Sequence, residues 1–76
     1  MRELLEMIAR AFVDRPDEVS VVQIEEDDAT VFELTVAPDD LGKVIGRQGR
    51  TAKAMRTMLG AAGMRTRRRL VLEILE

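Results

Sequence analysis

Val44-Ile45-Gly46-Arg47-Gln48-Gly49-Arg50 decides the reading of this chain: a Gly-x-x-Gly loop entered from a short apolar segment and leaving at once into a helical pattern with basic residues outside. Each glycine removes a Cβ from the path of an approaching ligand and opens backbone conformations closed to other residues. A helix starting at Gly49 turns its unpaired amides and the positive end of its dipole toward whatever the loop holds. The pattern predicts an anion cradle, and phosphate is the anion that fits it. The competing motif is the nucleotide-binding loop, which needs a glycine, four residues, then Gly-Lys and Ser or Thr. Gly42-Lys43-Val44-Ile45-Gly46-Arg47 does not have that spacing.

Downstream of the loop, Ala52, Met55, Met58, Leu59 and Ala62 fall on one side at helical period. Arg50, Lys53 and Thr57 fall on the other, with Arg56 at the flank. The spacing predicts a helix from Arg50 to about Ala62, loosened by Gly60 and Gly63 and followed by a turn at Met64-Arg65-Thr66. In a last strand, Leu70, Leu72 and Ile74 alternate with Arg69, Val71 and Glu73. Upstream, Pro38-Asp39-Asp40 reads as a helix start, with Asp39 or Asp40 as cap or first-turn acid of a short helix over Leu41–Ile45. Before that, the β-branched run Val19–Ile24 and the alternating Phe32, Leu34 and Val36 predict a hairpin around Glu25-Glu26-Asp27-Asp28. Leu4, Leu5, Met7, Ile8, Ala11 and Phe12 form the apolar stripe of a first helix that Arg15-Pro16-Asp17 ends. The order is α-β-β-α-α-β, an α+β fold. Phe12 and Phe32, both in phase with apolar neighbours, are predicted to be core.

Composition bounds the chemistry. The 76 residues predict one domain over 1–76, with a core so small that dimerisation would help it. With no Cys, His, Tyr or Trp, the chain lacks thiolate metal ligands, a Cys nucleophile and most acid–base apparatus. The carboxylates have no partner base or metal-ligand spacing, so the expectation is a protein that is not an enzyme and uses no cofactor, metal or catalytic residue. No apolar run approaches the roughly 20 residues a bilayer requires, and the acidic start is no signal peptide, which predicts a cytoplasmic protein with no membrane partner.

The net charge of −2 hides an asymmetry. Residues 1–40 carry twelve acids against three arginines, a balance of −9, whereas residues 41–76 carry nine basic residues against two acids, a balance of +7. The halves could simply attract one another, but that does not account for the basic residues gathering around the glycine loop. Local charge decides where a polyanion docks.

The element order, with Val44-Ile45-Gly46-Arg47-Gln48-Gly49 between two helices, resembles the KH domain in its type II arrangement. Ala37-Pro38-Asp39-Asp40-Leu41-Gly42-Lys43-Val44-Ile45-Gly46-Arg47-Gln48-Gly49-Arg50, together with the small size, resembles the stand-alone single-KH bacterial proteins of the KhpA type. The resemblance covers essentially the whole chain. It implies a three-stranded sheet packed by helices on one face, and an RNA-binding module whose loop clamps the backbone of about four nucleotides. It also implies a role as RNA chaperone or post-transcriptional regulator. An alternative it raises is an assembly module, pairing through the loop or a sheet edge as a homodimer or with a larger KH-containing partner.

Carried onto this sequence, the resemblance makes Gly46 and Gly49 close-approach positions and Arg47 and Gln48 backbone contacts. The candidate RNA-binding set is Lys43, Ile45, Gly46, Arg47, Gln48, Gly49, Arg50 and Lys53. Arg47 and Arg50 are expected on phosphate. Lys43 is divided between phosphate and a pairing with Asp39 or Asp40. Arg67-Arg68-Arg69 either extends the positive surface or guards a strand edge. Where the family groove has bulky aliphatics, this chain has Ala52 and Met55, and with only two aromatics stacking contributes little. Electrostatics should dominate, with modest affinity, weak sequence preference and marked salt sensitivity.

Overall fold

In the computed structural model, which describes residues 1–76, the chain forms α1 (Arg2–Phe12), β1 (Ser20–Glu25), β2 (Ala29–Thr35), α2 (Leu41–Ile45), α3 (Arg50–Thr66) and β3 (Arg69–Ile74). Single 3-10 turns at Pro16–Glu18, Pro38–Asp40 and Arg47–Gly49 join them. The expected α-β-β-α-α-β order is present. Strand β2 is central: β1 pairs with it antiparallel, Val21 opposite Leu34, and β3 pairs parallel, Leu72 beside Phe32. The parallel pairing is forced by topology, because α2 and α3 carry the chain back across the sheet before β3 begins.

Period-two alternation sends Val19, Val21, Phe32, Leu34, Val36 and Leu72 to the face covered by the helices. There they meet Leu5 and Ala9 of α1, Val44 of α2, and Met55 and Leu59 of α3 in one continuous core. Phe32 is only 2% exposed. The other face of the sheet has no helix over it, and there Val22 and Ile24 are 49% and 37% exposed while Val31 on the central strand is buried. On that face Glu33 and Glu73 stand side by side in register. No helix is long and apolar enough to cross a membrane.

Four expectations change. Helix α3 does not loosen at Gly60 or turn at Met64; it continues to Thr66 and ends in a left-handed Arg67 (φ 56°), with the Arg68 amide bonded to Gly63 O at 2.9 Å. Gly63 is buried because α3 crosses the chain entering β3 there, and a Cβ on Gly63 would strike the Arg68 carbonyl oxygen. Tertiary contact overrides the glycine helix penalty of about 1 kcal/mol.

Phe12 is not core: it is 49% exposed, and α1 buries only Leu5 and Ala9 of its apolar residues. The three-stranded sheet is too narrow to cover the whole stripe. Asp40 does not cap α2, and Arg68 neither extends the basic surface nor guards an edge. Its guanidinium instead closes the β1–β2 hairpin, donating to Glu26 O (2.6 Å), Ala29 O (2.7 Å) and Thr30 Oγ1 (2.8 Å) and pairing with Glu25 at 3.8 Å.

Candidate functional site

The loop begins where α2 runs out of helix-compatible backbone. Gly46 closes α2 by donating its amide to Gly42 O at 2.9 Å, then takes φ 82°. Arg47–Gly49 make a 3-10 turn in which the Gly49 amide bonds to Gly46 O at 3.0 Å, and Gly49 enters α3 in the left-handed region at φ 72°. Between them Gln48 is also left-handed, φ 56° and ψ 26°. For a residue with a Cβ that conformation costs roughly 1–2 kcal/mol, and such strain collects at binding turns.

The two glycines differ in purpose. A Cβ on Gly46 would collide with the Thr51 side chain and its backbone nitrogen, so the close approach at Gly46 is to the protein's own α3. Gly49 has nothing within 4 Å of its missing Cβ and is the one whose bare side faces solvent. Helix α3 has no side-chain cap and no acid in its first turn, so its dipole end is not offset by the protein itself.

Cations set the field around the loop. Arg47, Arg50, Lys53 and Arg56 take part in none of the seven ion pairs of the molecule. Arg50 does donate to the Gln48 side-chain amide oxygen, Oε1, at 3.1 Å, which braces the turn without cancelling charge. Acids of the first half are paired with the second half only at Lys43 and Arg68. Attraction between the halves therefore leaves the loop's basic residues unneutralised.

Lys43 follows the other of its two readings. Its ammonium bonds to Asp14 and lies 3.4 Å from Asp40 Oδ1; Asp39 is not involved. The Asp40 carboxylate, 2% exposed, accepts the amides of Asp14 (3.2 Å) and Arg15 (3.1 Å), anchoring the end of α1 to the start of α2. Burial alone would raise its pKa, but the two amides and Lys43 outweigh that and hold Asp40 below its ordinary value. The Asp14 carboxylate, against some desolvation and with help from Asp40, raises Lys43 above its own. Ile45 is half-buried at the base of the loop, behind Gly46.

Sequence reasoning did not single out a second feature. An apolar groove runs between α1 and α3, lined by Ile8, Phe12, Ala54, Met55 and Met58 with Arg50 at its mouth. The signal was an apolar stripe on α1 wider than one small core can cover. Met55 is buried and Met58 packs against the core, so both do serve the interior while showing an edge to this groove.

A three-stranded mixed sheet under helices, with a Gly-x-x-Gly turn set between two of them, defines the class: a KH domain of the type II arrangement. Within that class the match is narrower. The profile of the family described as KhpA/KhpB, KH domain covers residues 2–74, and the chain belongs to this non-catalytic family. Relatives of known name agree. The chain is 51% identical over 75 residues to the RNA-binding protein KhpA of Clostridium acetobutylicum, covering 99% of this chain and 100% of the relative. It is 50% identical over 74 residues to that of Borreliella burgdorferi (97% and 90% covered). It is 49% identical over 76 residues to that of Aquifex aeolicus (100% and 96% covered).

Proposed function

We propose that this protein binds single-stranded RNA by its sugar–phosphate backbone, with the turn Gly46–Gly49 and the first turn of α3 as the grip. Arg47, Gln48, Arg50 and Lys53 meet phosphate or sugar, Gly49 gives the backbone room to approach, and Ile45 and Gly46 set the shape of the turn. Lys43, occupied by Asp14 and Asp40, braces α2 rather than touching RNA. The observation that carries this reading is the set of unpaired cations around an uncapped helix start, in a family whose relatives are named RNA-binding proteins. A grip without chemistry suits an RNA chaperone or post-transcriptional regulator of the cytoplasm.

The test is a double substitution, Arg47→Asp with Gln48→Asp, in a protein shown by circular dichroism to stay folded. Binding to a labelled oligonucleotide is expected to fall at least tenfold. In the wild type the logarithm of the affinity should fall with the logarithm of salt at a slope near ~3, from about 0.7 for each of four phosphates. Unchanged affinity in the double variant removes the proposal.

A specific observation also favours self-association. The groove between α1 and α3 exposes half of Phe12, and a second copy offers the same projecting ring to fill it. The cationic loop is a poor homodimer interface, because two of them repel. Pairing at the groove would join two weak RNA sites and raise avidity without blocking either loop. Phe12→Asp should halve the mass seen by light scattering, whereas the Arg47/Gln48 double variant should leave it intact.

A further inference from the structure

Three strands bring their ends to one pole of the sheet. Strand β1 starts where β2 finishes, Ser20 opposite Thr35, and β3 runs parallel to β2 and finishes with it, Ile74 beside Leu34. The Leu75 amide then bonds to Leu34 O at 2.9 Å, which holds Leu75 at that pole. The 3-10 turns before β1 and after β2, and the first residue of α2, meet there too. Between them opens a pocket of about 530 Å³, lined by the apolar Val36, Pro38, Leu41 and Leu75 and by the carboxylates Glu18 and Glu76. Its volume lies within the range of about 300–1,000 Å³ usual for ligand sites. Val36 is buried and Leu41 packs against the core, so that part of the lining is fixed, whereas Leu75 stays 41% exposed.

The charge here is opposite in sign to that of the loop. Glu76 takes part in no ion pair, nor do Asp17 and Asp39, the chain neighbours of Glu18 and Pro38. Glu18 meets only Arg15, at 3.5 Å, with both side chains about half exposed. Such a pair is weak and easily exchanged for another. Four acids against one arginine repel RNA and attract a cation. A free polyamine would set its charges against apolar side chains, and a purely aliphatic peptide would leave the carboxylates unanswered. We propose that this pocket docks a short segment of a partner protein in which an aliphatic side chain stands between two basic ones. Leucine or isoleucine enters among Val36, Pro38, Leu41 and Leu75, while arginine or lysine on either side meets Glu18 and Glu76. No residue of Gly46–Gly49 lines the pocket, so it and the loop can be filled together, and the proposal does not depend on the loop's grip on RNA.

The experiment is a titration of the isotope-labelled full chain with the capped pentapeptide glycine-arginine-leucine-arginine-glycine, followed by backbone amide NMR shifts. Saturable shifts are expected at Val36, Leu41 and Leu75. Alanine in place of the peptide's leucine should weaken binding about tenfold, the low end for burying that side chain. Citrulline in place of both arginines keeps their shape without their charge and should weaken it about fivefold, as for two exposed ion pairs. The double variant Glu18→Gln with Glu76→Gln should bind the arginine and citrulline peptides alike. Leu75→Ala provides a second variant should the first melt early, and should weaken the leucine peptide more than the alanine one. An absence of saturable shifts at the three amides overturns the proposal. So does a citrulline peptide that binds the wild type as well as the arginine one, or shifts centred on the acidic hairpin Glu25–Asp28, because that is attraction to negative charge alone. Shifts at the three amides on adding a uridine octamer would give the pocket to RNA, and shifts there on concentrating the protein by itself would give it to a second copy; either result overturns the partner segment.

Discussion

The carbonyl oxygen of Arg68 occupies the place where a Cβ on Gly63 would stand, so α3 and the chain entering β3 touch backbone to backbone. Gly63→Ala should destabilise the fold by about 1–3 kcal/mol, since the neighbour is main chain and cannot rotate away. Gly60, in the same helix and exposed, has open space around it. Gly60→Ala should stabilise by about 0.5–1 kcal/mol. Urea unfolding of both variants checks the pair, and a shift of the same sign in each would contradict the account.

Gly46 and Gly49 separate folding from binding in the same manner. Gly46→Ala meets both a positive φ and the Thr51 wall, and should cost about 1–3 kcal/mol of stability. Gly49→Asp meets only the φ, a region aspartate enters more readily than most residues, so the fold should survive. It puts a carboxylate at the start of α3 where phosphate would lie, and RNA affinity should drop at least tenfold. Thermal melts alongside oligonucleotide titrations distinguish the two outcomes.

The Asp14–Lys43–Asp40 cluster predicts how stability follows pH. Asp40 has a folded-state pKa below its ordinary 3.8, so its contribution is complete above that value and is lost as pH falls through the folded one. Lys43 is raised above its ordinary 10.5, so its contribution is complete below that value and is lost as pH climbs through the folded one. Asp40→Asn should therefore lower stability at neutral pH and shorten the acid limb of the curve. An acid limb equal to the wild type's would show that Asp40 is not its source.

Glu33 and Glu73 lie side by side on the open face of the sheet, where like charges oppose pairing. Glu73→Lys should raise stability by about 0.2–1 kcal/mol, and the gain should shrink in high salt. Melting the variant at low and high ionic strength measures both effects.

Local pattern made most of the fold readable, and long-range contact accounts for what it concealed. Val21, Phe32, Leu34 and Leu72 alternate as strands and are buried as strands, and the Gly46–Gly49 turn announces itself by two residue types. Asp40 looked like a helix cap because Pro38-Asp39-Asp40 is a helix-start signature; its actual partners, Asp14 and Arg15, lie 26 and 25 residues away. Arg68 sits in a run of arginines that reads as surface, yet it bonds to a hairpin some 40 residues earlier in the chain, 42 at Glu26 and 39 at Ala29. Gly60 and Gly63 carry the same local message, an interrupted helix, and only the crossing at Arg68 tells them apart. On the candidate site, the pattern drew attention to the basic residues around the loop but could not show which of them the acids would claim, as Asp14 and Asp40 claim Lys43.

With three left-handed or glycine-only conformations within four residues, at Gly46, Gln48 and Gly49, the loop's geometry is set before any partner arrives. A polyanion meeting a turn already in shape spends little on ordering it, and diffusion toward unshielded cations governs the encounter. Substitutions that remove charge should slow arrival, most visibly in dilute buffer. Those that relax the turn should leave arrival alone and shorten residence, so stopped-flow traces would assign each loop residue to steering or to holding.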